Sequence, residues 1–155
     1  MKRNIAGITL ATLSFAALLA GLAPAAHATA CSTATVAGKW GATLTGTLLL
    51  PTGPVPVAAI VNITADMEGN LTGTEARSVG GDYADETLSG TLTVNPDCTG
   101  LLTASFYQSG QLVRTIVDSA VFDENSKQVR LVQKSLTLAD GTQLPVVITA
   151  EGKKQ

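Results

Sequence analysis

The chain has 155 residues, of which 45% are hydrophobic, 14% charged and 4% aromatic, with a formal net charge of −2 and a single histidine. That length leaves room for one domain with a real core. The lack of a cationic excess argues against nucleic acid and anionic membrane surfaces as partners, since both reward clustered cations.

The N-terminus reads as an export signal. Met1-Lys2-Arg3 supplies positive charge, Ile5 to Leu22 an uncharged apolar run, and Ala28-Thr29-Ala30 small residues at a cleavage position. The apolar run approaches the roughly 20 residues of an uncleaved anchor, but the small-residue tail favours cleavage. The expected organisation is a signal peptide over 1–30 and a single domain over 31–155, exported to a periplasmic or extracellular space, with no stable membrane insertion after cleavage. Removing Lys2, Arg3 and His27 leaves eight basic against twelve acidic side chains, a net charge of −4, and no histidine.

Cys31 and Cys98 are the only cysteines. In an exported chain they most simply form one disulfide, tying the new N-terminus to the turn "NPDCTG" at Asn95 to Gly100. The alternative makes Cys31 the lipid-carrying first residue of a lipoprotein, although Ala28 stands where such signals usually carry leucine.

From Gly38 onward, short runs rich in Thr, Val, Leu and Ile alternate with Gly, Pro, Asn and Asp, which is a strand pattern. In Gly38 to Leu50, Trp40, Ala42, Leu44, Leu48 and Leu50 share one face and Thr43, Thr45 and Thr47 the other. "PTGPVP" breaks the chain before a second inward set of Val57, Ala59, Val61, Ile63 and Ala65. In the third run, Leu71 to Val79, Glu75 and Arg77 lie on the face of Leu71 and Val79. Burying Thr and Ser costs far less than burying two charges, so the expectation is that this face turns to solvent and Thr72, Thr74, Ala76 and Ser78 pack inward; the alternative is that Glu75 and Arg77 are buried charges that need each other. The fourth run sets Leu88, Leu92 and Val94 inside, and the fifth Leu102, Ala104 and Phe106. In the sixth, Leu112 to Phe122, Arg114 and Asp118 share a face, which makes Val113, Val117 and Val121 the expected inward set. The seventh, Gln128 to Leu138, carries Arg130 and Lys134 on one face and Val129 and Leu131 on the other. Asp140-Gly141 is a hairpin signal, and the last run aligns Leu144, Val146, Ile148 and Ala150.

No window after the signal has helical periodicity. Eight strands joined by tight turns predict an all-β, antiparallel up-and-down meander, closed or nearly closed into a barrel because closure removes exposed edges; a two-sheet β-sandwich is the alternative.

Gly38-Lys39-Trp40 at the head of the first of eight strands resembles the Gly-x-Trp signature of the calycin superfamily of lipocalins and avidins, and "CSTATVAGKW" is similar to the start of avidin-type chains. The resemblance implies a barrel in which Trp40 closes one end and is structural. In lipocalins that tryptophan packs against an arginine near the end of the barrel. The final strand, Gln143 to Gly152, has none, and Arg130 on the preceding strand is the nearest candidate. Avidin-type biotin sites need further tryptophans, and Trp40 is the only one here, so biotin binding is not implied.

Without histidine, Ser-His-Asp and Cys-His arrangements and imidazole metal sites are excluded from the mature chain. No phosphate-cradling loop or nucleophile elbow is present, and no motif requires a cofactor or a metal. Asp82, Asp85 and Glu86 in "GGDYADE" read as an acidic, solvated connection, with carboxylate catalysis or calcium binding as the sharper alternative. No residue is assigned a catalytic role, and the reading leans away from an enzyme. The small inward side chains leave room for a compact apolar ligand, with Tyr83, Phe106 and Tyr107 as candidate contacts. The competing reading is a structural or surface-interaction protein of the envelope or extracellular space. In either case the functional residues belong at the mouth opposite Trp40, among loops such as "PTGPVP" and "GGDYADE". The sequence leaves the oligomeric state open.

Overall fold

A computed structural model describes residues 30–123 and 125–155; the expected signal segment lies almost wholly outside them. The backbone forms a short helix, α1 (Thr33–Val36), and then strands β1 (Gly38–Leu50), β2 (Gly53–Ala65), β3 (Asn70–Val79), β4 (Asp82–Val94), β5 (Thr99–Gln108), β6 (Gln111–Phe122), β7 (Gln128–Leu138), β8 (Gln143–Leu144) and β9 (Val146–Lys154). From β1 through β8 each strand pairs antiparallel with the next. β8 and β9 act as one strand interrupted at Pro145, which has no N–H to give to a ladder, and β9 pairs with β1 as well as β7. The sheet therefore closes on itself as an eight-stranded meander, the architecture that the strand count and the calycin resemblance implied.

Period-two alternation supplies the core wherever one face is wholly apolar. Val57, Ala59, Val61 and Ala65 of β2 are buried as expected, and Ile148 and Ala150 of β9 likewise. The two corner glycines Gly73 and Gly90 also point inward, where neighbouring strands approach so closely that a Cβ would collide with the carbonyl oxygens of Asn62 and Thr103 respectively. Glycine kinks of this kind let a barrel wall curve tightly.

The charged strands are arranged the other way round from the expectation. On β3, Leu71 and Glu75 are buried and Thr72 and Thr74 exposed, so Glu75 and Arg77 face the interior. Glu86 belongs to β4 rather than to a solvated connection, and it too is buried. On β6 the inward set is Arg114, Ile116, Asp118, Ala120 and Phe122, while Val121 is exposed. Val113 still reaches the core, because a bulge opposite Phe106 and Tyr107 makes it an extra residue on its strand. A second bulge skips Lys134, so β7 presents Val129 and Gln133 and then Leu136 to the inside.

One end is sealed by the segment that precedes β1. Ser32 caps α1 by accepting from Thr35 N–H. Trp40 Nε1 donates to the Val36 carbonyl at 2.9 Å, satisfying the indole's one donor in the interior. Phe122 meets the Trp40 ring edge-on with centroids 5.8 Å apart. The Cys31–Cys98 disulfide joins this segment to the β4–β5 turn, with Cα atoms 5.0 Å apart. The cation over the tryptophan is not Arg130, which is exposed, but Lys154: β9 runs two residues beyond Gly152, placing Lys154 Nζ 6.0 Å from the Trp40 centroid and 3.1 Å from the Thr35 carbonyl.

Candidate functional site

The opposite end holds a cavity of about 110 Å³. It lies toward the turns Pro51-Thr52, Gly80-Gly81 and Ser109-Gly110, far along every strand from Trp40. Its walls are apolar, with Leu48, Val57, Leu136 and Ile148 among them, and its polar groups are Glu75, Arg77, Arg114 and Gln133. "PTGPVP" and "GGDYADE" both fall at this end.

The charged layer is built across strands. Glu75 of β3 and Glu86 of β4 are direct ladder partners, an arrangement that sets like charges side by side. Arg114, reaching across from β6, resolves it: Nη2 donates to Glu75 Oε2 and Nη1 to Glu86 Oε2. Arg77 Nε donates to the other Glu86 oxygen at 2.7 Å. The Arg114 guanidinium also stacks on Phe106, its cross-strand partner, at 3.9 Å from the ring centroid. Burial pushes the Glu75 carboxyl above its ordinary range, and the Arg114 charge pulls it back only in part. Asp118, deeper in the barrel, is pushed up to about 7, first by burial and then by the Glu75 charge.

Of the three aromatics expected to contact a ligand, Phe106 lines the cavity. Tyr107, the next residue along β5, points out of the barrel and lines a shallow outer depression with Ile60, Thr74 and Asp85. Tyr83 is 67% exposed and donates to Asp85 Oδ1 at 2.5 Å. Alternation along β4 and β5 therefore separates Phe106 from the two tyrosines, and it equally divides the acidic group: Asp82 and Asp85 are exposed while Glu86 is inside. Among the described residues no group of three or more acidic, cysteine or histidine side chains could hold a metal, and no helix is long and apolar enough to cross a membrane. Sequence reasoning missed Glu86, Arg114 and Asp118 as interior groups and ranked the interior placement of Glu75 and Arg77 second. The signal was present, since each breaks an otherwise apolar face.

No protein-family model and no curated protein matches the chain. Among solved structures, the chain is similar to EF1p2_mFAP2b bound to DFHBI, at 12% identity and a TM-score of 0.52 over 78% of this chain and 94% of that one. A redesigned beta barrel, b11L5F_LGL, matches at 15% identity and a TM-score of 0.49, covering 79% and 94% of the two chains. Another, mFAP1 bound to DFHBI, matches at 16% and 0.48, covering 79% and 97%. At such identities the likeness is one of fold.

Proposed function

We propose that this chain is an exported binding protein that holds a small, largely apolar molecule at the open end of its barrel. The observation that carries this reading is the asymmetry of the two ends: one plugged by α1, Trp40 and a disulfide, the other holding a mainly apolar cavity with a few convergent polar groups. The structurally similar EF1p2_mFAP2b is bound to DFHBI, which supports a barrel of this kind as a ligand holder. Phe106, stacked under Arg114, is the aromatic we assign to the ligand wall. Export rests on the signal-like segment over 1–30 and on the disulfide, a bond that persists in oxidising compartments. Engagement of the Cys31 sulfur with Cys98 supports a disulfide-tied terminus over a lipid-bearing one.

The test is native mass spectrometry of the protein recovered from its own host. The expected species begins at Cys31, is two hydrogens lighter than the dithiol, and carries a small molecule that gentle activation releases. A Leu136→Trp variant, which fills the cavity, should come out empty; the reading is wrong if wild type is also empty, or if the filled variant retains the same molecule.

A further inference from the structure

The inward-facing charges do not balance. Glu75, Glu86 and Asp118 are three carboxyls, and Arg77 and Arg114 are two guanidiniums. Arg114 spends both terminal nitrogens on Glu75 and Glu86, and Arg77 pairs with Glu86 through Nε. Asp118 is left over. It is 5% exposed, and its Oδ1 has no hydrogen-bond partner among the described residues. The inward faces of β1, β2 and β5 carry no charge, β7 adds only the neutral Gln133, and Lys154 of β9 is held at the plugged end by the Thr35 carbonyl.

Asp118 sits just below the cavity. Gln133 is its direct ladder partner on β7, and Ile116 lies two residues back along β6, a step of about 7 Å toward the mouth. Both line the cavity, as does Glu75. A buried acceptor without a donor is rare in native folds, because the hydration it gave up is not replaced.

We propose that the cavity floor at Glu75 and Gln133, the ladder partner of Asp118, receives the ammonium group of a small cationic amphiphile, whose apolar part lies against Leu48, Val57, Leu136 and Ile148. This rests on the cavity being the ligand site. One added cation brings the interior to three charges of each sign and gives Asp118 Oδ1 a donor. A carboxylate ligand would instead add a fourth negative charge, although Arg77 on the cavity wall, whose Nη groups have no partner among the described residues, makes it the natural competitor.

Calorimetric titration of wild type with n-hexylammonium, n-hexanol and n-hexanoate at pH 6 and pH 8 tests this. At pH 8 the ammonium should bind at least tenfold more tightly than the alcohol. At pH 6, below the value of about 7 to which Asp118 is pushed, that advantage should shrink several-fold. Asp118→Asn should lose the preference for the ammonium over hexanol. If that variant fails to fold, the wild-type comparison of three ligands at two pH values still decides. Equal binding of alcohol and ammonium, or a preference for hexanoate, overturns the cation site and leaves the cavity reading standing. Binding of none of the three removes both.

Discussion

Arg114 donates to two carboxylates that face each other across β3 and β4, and its removal would leave two buried acids in contact with only Arg77 to answer them. Arg114→Met is therefore expected to destabilise the fold by about 3 to 5 kcal/mol, read from urea unfolding, while a triple variant that also carries Glu75→Gln and Glu86→Gln should recover much of the loss. Asp118 behaves differently because no cation pairs with it among the described residues. Its folded-state pKa of about 7 lies above the ordinary carboxylate value, so between those limits the folded chain holds a proton that the unfolded chain has released. Stability from this group is fully present below about pH 4 and is lost as the pH rises toward 7, with a total change of up to about 4 kcal/mol. Asp118→Asn should flatten that slope and be more stable than wild type at pH 8. Denaturant midpoints measured every half unit from pH 4.5 to 8 would show it; parallel curves for the two proteins would refute the assignment.

The strands differ in how plainly their sequences declare an inward face. β1, β2 and β9 alternate apolar with polar, and alternation alone orients them correctly. β3 and β6 mislead because each carries ionisable groups on the face that must be buried. Burying such a group in isolation is costly, so a strand read alone turns it outward. Glu75 goes in because Arg114 comes to meet it from a strand 39 residues later in the chain, and no local window contains both. The two bulges hide in the same way: skipping Lys134 shifts the parity of β7 without any glycine or proline to mark it. The cavity end was legible, since the Gly-Lys-Trp start identified the closed end by resemblance and left the other. Its chemistry was not. At this scale the corner glycines are the sharpest test. Gly90→Val must push its side chain into the backbone of β5 at Thr103, and a loss of at least about 3 kcal/mol in urea unfolding is expected, whereas Gly110→Ala at an exposed turn should be strained but milder.

For the molecule as a whole, closure depends on pairing β1 with β9, the first strand with the last. Contacts so distant in sequence are entropically expensive to form, which predicts folding on a millisecond-to-second scale rather than the microseconds of a helical bundle. The disulfide shortens part of that search by linking residues 67 apart in sequence. In the chain-entropy model it stabilises the fold by about 4 kcal/mol, so reduction, or a Cys31→Ser, Cys98→Ser double variant, should lower the urea midpoint accordingly, measured against the oxidised protein. The same closure also fixes where the first and last described residues lie. Cys31 is bound to the β4–β5 turn beside the plug, and the Gln155 backbone donates to the Lys39 carbonyl at 2.9 Å, so both leave from the sealed base. A barrel held to any support near Cys31 or Gln155 would thus stand upright with its rim turned away from that support, like a cup fixed by its foot. Tethering and filling would make no demands on the same surface.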